Sequence, residues 1–212
     1  MTAEASALLD YLTRQLNAFY PDGELDQGRI ARSMERGYER TMHCLSRLRT
    51  FAHAGSRLNP LYSDHYLLFL YYLSNQIYRD SGHCPEATKL YYLNKSLHAF
   101  DAFYDIELPP VLAVTHGVGT VLGRARYSDY LYVYQNVTVG VGLQGEAPEI
   151  APDVVLFAGA KVIGACRLGE NVLVSPNTLV MDRDVPAGHV VAGADGSAIR
   201  ATKRVVRREF FR

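Results

Sequence analysis

Cysteine is scarce in this chain. Cys44, Cys84 and Cys166 are widely separated, odd in number, and form no CxxC pair. That pattern excludes a disulfide framework and a cysteine zinc site, and it fits a reducing compartment. Net charge is also absent, with 22 Lys+Arg against 22 Asp+Glu. No global field therefore draws the chain to nucleic acid or to a membrane surface. The longest apolar stretch, Tyr66 to Leu73, is far shorter than the about 20 residues needed to span a bilayer. The first residues, MTAEASALLDYLTRQL, lack the basic-then-apolar order of a secretory signal. These absences predict a soluble, cytoplasmic protein with neither nucleic-acid nor membrane partners. With 48% hydrophobic residues and only 9 prolines in 212 positions, the composition is that of a globular chain with room for one large domain or two small ones.

Two periods divide the sequence. Up to about residue 104 the apolar spacing is helical. Leu8, Leu12, Leu16 and Phe19 form one stripe, and Ile30, Met34, Tyr38, Met42, Leu45, Leu48 and Phe51 form the next. Pro21-Asp22-Gly23 breaks the chain between them, and Asn59-Pro60 ends the second helical region, because a residue before proline avoids the α conformation. A third helix is predicted from about Ser63 to Tyr78. It is apolar nearly all round and therefore the most buried. A fourth, starting near Pro85, places Leu90, Leu93, Leu97 and Phe100 on one face.

From Asp105 the period becomes six. Lead residues Val121, Tyr127, Val133 and Val139 are followed, after an interruption of ten residues, by Ile150, Leu156, Val162, Leu168, Val174 and Val180. Small or β-branched residues recur four places later, at Ala125, Val137, Val154, Ala160, Cys166, Val172 and Thr178. Such a repeat must be read before individual strands. It describes a triangular coil in which each lead side chain points inward and stacks on its equivalent 18 residues away. Stacking then supplies the core that no single repeat can bury. A sandwich of short strands is the competitor, but it alternates with a period of two. The predicted fold class is α+β: a helical domain (1–104), a parallel β-helix of hexapeptide repeats (105–199) and a basic tail (200–212).

Three elements in order, H-G-x-G at His116 to Gly119, Q-N-V-T-V-G at Gln135 to Gly140 and G-A-K-V-I-G at Gly159 to Gly164, resemble the hexapeptide-repeat acyltransferases, most closely the serine acetyltransferases. The likeness covers about residues 59–193. It implies a left-handed coil, acetyl-CoA as acyl donor, transfer to the hydroxyl of serine or a related small alcohol, and no metal. Moving an acyl group from a thioester to an alcohol needs a base that works near neutral pH, and histidine suits it. His116, flanked by Gly117 and Gly119, is the candidate base; a turn histidine on the surface is its bland alternative. The resemblance assigns the orienting carboxylate to Asp105 of Asp105-Ile106-Glu107-Leu108-Pro109, with Glu107 as fallback. It places the donor along Gly140, Gly159, Ala160 and Gly164, although tight coil turns require small residues anyway.

The acceptor side departs from the family. The Arg-His-Pro that holds serine's carboxylate reads Glu146-Ala147-Pro148, the Asp before the base is Thr115, and the Asp-Pro of the helical domain is Asn59-Pro60. A buried carboxylate needs a matched donor such as Arg. An altered acceptor, on a sugar or a specialised metabolite, is thus the alternative reading at Asn59, Glu107, Thr115 and Ala147. In the tail, Lys203 and Arg204 are candidates for the phosphates of CoA; the plain alternative is a solvated basic end, with Phe210 and Phe211 docking on a neighbour. Tyr127, Tyr130, Tyr132 and Tyr134 mostly step by two along strands, and tyrosines that face outward there suit an interface. The resemblance implies a homotrimer, or a dimer of trimers, with active sites between subunits. A zinc hydratase of the same fold needs three imidazoles, and the repeats hold only His116 and His189. A silent scaffold that keeps the fold without the chemistry is the remaining alternative.

Overall fold

The computed structural model describes residues 1–53 and 57–212. The helical part consists of α1 (Ala3–Phe19), α2 (Gln27–Leu45), the short α3 (Arg49–His53), α4 (Ser63–Ser81) and α5 (Pro85–His98). Thr2 caps α1 by accepting the Ala5 N–H, and Asp26 caps α2 by accepting that of Arg29, which satisfies donors that helix starts leave orphaned. Leu8, Leu12 and Leu16 are buried as predicted, whereas Phe19 is exposed. The second helical region is two helices, since α2 stops at Leu45; residues 54–56, before the predicted Asn59-Pro60 end, lie outside the described residues. On α5, Leu90 and Leu93 are buried and Leu97 is exposed, while Phe100 packs inward from just beyond the helix end.

Every residue of α4 from His65 to Ile77 is buried. The reason is that α4 serves two cores. Tyr66, Phe69, Leu70 and Leu73 pack with α1, α2 and α5, while Leu67, Leu68, Tyr71 and Tyr72 face the β-helix. Its tyrosine hydroxyls satisfy the entering chain: Tyr71 donates to the Ile106 carbonyl at 2.6 Å, and Tyr72 to that of Pro109 at 2.7 Å.

The coil runs β1 (Leu112–Val114), β2 (Val121–Leu122), β3 (Arg126–Tyr127); then β4 (Leu131–Val133), β5 (Thr138–Gly140), β6 (Glu149–Ile150). It continues with β7 (Val155–Leu156), β8 (Lys161–Ile163), β9 (Arg167–Leu168), β10 (Leu173–Val174), β11 (Leu179–Met181) and β12 (His189–Ala192). Parallel pairing gives three faces: β1-β4-β7-β10-β12, β2-β5-β8-β11 and β3-β6-β9. This is the parallel β-helix expected from the hexads, with the left hand that the resemblance implies. Val139, Val162 and Val180 stack in register, as do Tyr127, Ile150 and Leu168, and Val133, Leu156 and Val174. One lead position is corrected: Leu122, not Val121, pairs with Val139 and is buried. The turn ahead of it is longer than a normal corner, which shifts the register by one.

After β12 the chain reverses. β13 (Ala198–Ala201) pairs antiparallel with β12, and α6 (Val206–Phe210) lies back along the first face. The tail is thus a strap and not a loose basic end. The Asn171 amide clips it by donating to the Arg204 carbonyl and accepting the Val206 N–H. Arg207 makes two bonds of 3.0 Å to Asp153 and lies 3.9 Å over the Tyr130 ring. Arg49 donates to the carbonyls of Arg208 and Phe211. Phe210 and Phe211 dock on Tyr130 and Tyr132 of their own chain, so part of the tyrosine face expected to form a seam is covered from within.

Candidate active site

His116 sits at the corner between the first and second faces. Strand β1 ends at Val114, and Thr115 continues the ladder by donating its N–H to the Val133 carbonyl at 2.9 Å. His116 then takes a left-handed conformation, φ 54°, which a histidine adopts more readily than most side chains. Its backbone N–H donates to Asp64 Oδ1 at 3.3 Å, in the first turn of α4. Gly117 follows because nothing larger fits: a Cβ there would lie 2.6 Å from Leu67 Cδ1 and 3.0 Å from Val114 Cγ1. The Gly119 N–H reaches the Ala99 carbonyl at 2.9 Å. The turn is therefore pinned before, at and after His116, while the imidazole itself is exposed. An exposed imidazole on a fixed backbone is what a general base requires.

The expected companions bond to other groups. Asp105 pairs with Arg124 at 2.8 Å, and among the described residues no hydrogen bond joins it to His116. Glu107 binds Arg79 and Asn75. Burial alone would raise its pKa, but the bonds from Arg79 and Asn75 hold it below the usual carboxylate range. Asn59 closes a local turn by accepting the Leu61 N–H at 2.9 Å, ahead of α4. The Thr115 hydroxyl lies 2.7 Å from that of Tyr132, turned to its own sheet and not toward an acceptor.

The donor candidates are spread over all three corners. Gly159, φ 73°, is two coils along from His116 on the same corner, buried beneath Asn177; Ala160 is fully buried and faces the core. Gly140 and Gly164 lie at the corner between the second and third faces, joined by a 3.1 Å bond from the Gly164 N–H to the Gly140 carbonyl. Gly140 has open space where a Cβ would stand. The loop 141–148 leaves from there, and Val141, Leu143, Ile163 and Met181 line a groove of about 380 Å³ with Glu146 and Asp182. Ala147 faces a smaller hollow of about 280 Å³ beside Arg167 and Asp184. Lys203 and Arg204 are exposed at the third corner, with Arg204 paired to Glu209 at 2.7 Å. His116, the loop groove and the basic residues thus stand at three different corners of the coil.

No family model matches the chain. The serine acetyltransferase of Synechococcus elongatus is 37% identical over 114 residues, which are 52% of this chain and 46% of that protein. The crystal structure of Neisseria gonorrhoeae serine acetyltransferase superposes with a TM-score of 0.73 at 19% identity, covering 97% of this chain and 81% of that one. A serine acetyltransferase in complex with CoA gives 0.64 at 17% identity, over 82% and 74%. The chain is similar to serine acetyltransferases. With the solved structures the likeness is one of fold, and the chain spans about half the length of the curated relatives it matches.

Two residues of this site escaped the sequence reading. Asp64 is the carboxylate that meets His116, and Tyr132 is the hydroxyl that meets Thr115. Burial raises the pKa of Asp64; the His116 N–H, the nearby imidazole charge and the Ser63 hydroxyl oppose that only in part. The folded state therefore holds this proton more tightly than the unfolded chain does. As pH rises from the ordinary carboxylate range to the raised value, ionising Asp64 takes stability away. Asp64→Asn removes that loss and keeps an oxygen for the His116 N–H. Thermal melts from pH 4 to 8 should show the variant gaining on the parent as pH rises; a parent that gains on the variant would contradict the burial argument.

Proposed function

We propose that this chain is an acetyl-CoA-dependent O-acetyltransferase that acts on the hydroxyl of serine or a related small alcohol. The observation that carries the reading is His116, exposed on a turn pinned by Asp64, Thr115 and Gly117, in a chain similar to serine acetyltransferases. The imidazole removes the acceptor's hydroxyl proton while the oxygen attacks the thioester carbonyl. The C–S bond then breaks, and the imidazolium returns the proton to the departing thiolate. An O-acetyl ester and free CoA result.

The loop groove supports a donor site. Its apolar side chains, Val141, Leu143, Ile163 and Met181, suit the methylenes of a pantetheine arm, and Gly140 leaves the backbone open to it. This groove and His116 belong to different corners of one protomer, so a complete site needs a second copy to bring its groove to this histidine. The second face supports that assembly. Val121 and Met181 are 38% and 50% exposed there, beside half-buried Ile163 and Leu179, a wall unlike the strapped first face. A homotrimer closed through this wall is the assembly proposed, working in the cytoplasm, where the free Cys44, Cys84 and Cys166 stay reduced.

One observation favours a second acceptor. The loop holds Glu146-Ala147 where the resembled enzymes have the cationic holder of a carboxylate, and Asp64 adds a carboxylate beside His116. An alcohol without a carboxylate, on an amino alcohol or a sugar, fits that charge better than serine does. The test is thiol release from acetyl-CoA with serine, homoserine, amino alcohols and sugars as acceptors. Release that depends on one acceptor class establishes the reaction and its substrate. Silence across the panel with no CoA binding would sink the acyltransferase reading and leave a scaffold.

A further inference from the structure

Tyr132 lies in β4 on the first face, directly opposite Ala113 of β1. Its ring points outward, yet only 7% of the residue is exposed. The strap explains this. Phe210 lies 4.8 Å from the Tyr132 ring, Tyr134 lies 5.1 Å away, and Phe211 closes a third side at 6.0 Å. The strap is held by Arg207 on Asp153 and by Arg49 on the carbonyls of Arg208 and Phe211. A ring enclosed in this way cannot swing, so its hydroxyl has a fixed place. That place is 2.7 Å from Thr115 Oγ1, on the residue before His116. Burial pushes the Tyr132 pKa up to about 12, with the Thr115 bond opposing and Tyr134 and Asp64 adding to it. The hydroxyl therefore keeps its proton at working pH, and the pair stays bonded.

We infer that Tyr132 is a positioning residue for His116, fixing the departure of the His116 turn through the Thr115 hydroxyl while the C-terminal strap fixes Tyr132. Thr115 is bonded twice, through its N–H to Val133 and through its hydroxyl to Tyr132. The first bond sets its height on the coil. The second sets its rotation about the strand, and with it the direction in which the left-handed His116 projects its ring. A small misplacement is expensive at a base that must meet a hydroxyl within hydrogen-bond reach.

The inference rests on the acetyltransferase reading for its rate measurements and is independent of it in a second readout. Tyr132→Phe keeps the packed ring and removes only the hydroxyl. It and Thr115→Val should each lower kcat by about ten- to a hundredfold, with KM for acetyl-CoA unchanged. The double variant should be no slower than either single one, because both remove the same bond. Thr115→Ser, which keeps the hydroxyl, should restore the parental rate. A merely structural pair would instead lower the melting temperature and leave kcat alone. The second readout is the ring-proton resonance of His116 by NMR. It should be single and sharp in the parent, and displaced or exchange-broadened in Tyr132→Phe and Thr115→Val. If the parent is silent with every acceptor, the resonance alone decides the positioning, and if it also binds no CoA the acetyltransferase reading fails. Parental His116 signals in both variants would overturn it, as would parental kcat in an active enzyme.

Discussion

His116→Asn is expected to lower kcat by about a hundred- to ten-thousandfold, the usual contribution of a general base, while acetyl-CoA still binds. Asparagine is chosen over alanine because residue 116 has φ 54°, a conformation that asparagine tolerates and that strains most other side chains. The backbone N–H to Asp64 does not depend on the side chain, so the turn should survive and the fold with it. Thiol-release kinetics, beside calorimetric titration with CoA and a melting curve, check all three parts. If catalysis fell with KM and melting temperature unchanged, the lost interaction would be one made in the transition state. A variant that keeps kcat within tenfold of the parent would place the base elsewhere, and the exposed imidazole would be an ordinary surface side chain.

What could be read in advance follows the range of the interactions. The hexads announce themselves because each repeat needs only its neighbours, and the inward positions from Tyr127 to Val180 stack in the predicted columns. The one slipped position, Val121 for Leu122, marks the place where the fold departs from its period. The corner after Val114 is lengthened to carry His116, and the following side is shortened to recover the register. Local chemistry was legible for the same reason: the glycines around His116 are dictated by close contacts such as Gly117 on Leu67.

The partners were not legible. Asp64 is 52 residues from His116, and no local pattern singles it out from the other carboxylates of the helical half. Asp105 and Glu107 looked available because Arg124 and Arg79, which engage them, carry no signature of pairing. The glycines and alanine of the donor motif were ambiguous from the start. Gly159, Ala160 and Gly164 prove to be buried in the coil, where a Cβ at Gly159 or Gly164 would strike Asn177 or Asp182. The tail was readable as basic and aromatic, but its path was not, since Arg49 and Phe211 meet across 162 residues.

That path carries the second large expectation. Phe211→Ala should destabilise the protein by about 3–5 kcal/mol, lowering the melting temperature by about 10 °C in a chain of this size. Phe211 is 1% exposed. Its ring meets those of Tyr130 and Tyr132 edge-on at 5.3 and 6.0 Å, and its backbone bridges to Leu48 beside α2. Truncation opens a cavity at the junction of strap, first face and helical half, and the neighbours that line it are rings held in sheet register, which collapse poorly into a void. The alternative is that the strap frays by itself and the body melts as before. Calorimetry separates the two. A single transition lowered by about 10 °C makes the strap part of the cooperative unit, whereas an unchanged main transition would make it an appendage despite its burial. In the first case the C-terminal residues hold the β-helix to the helical half, at the face from which Tyr132 reaches toward the His116 turn.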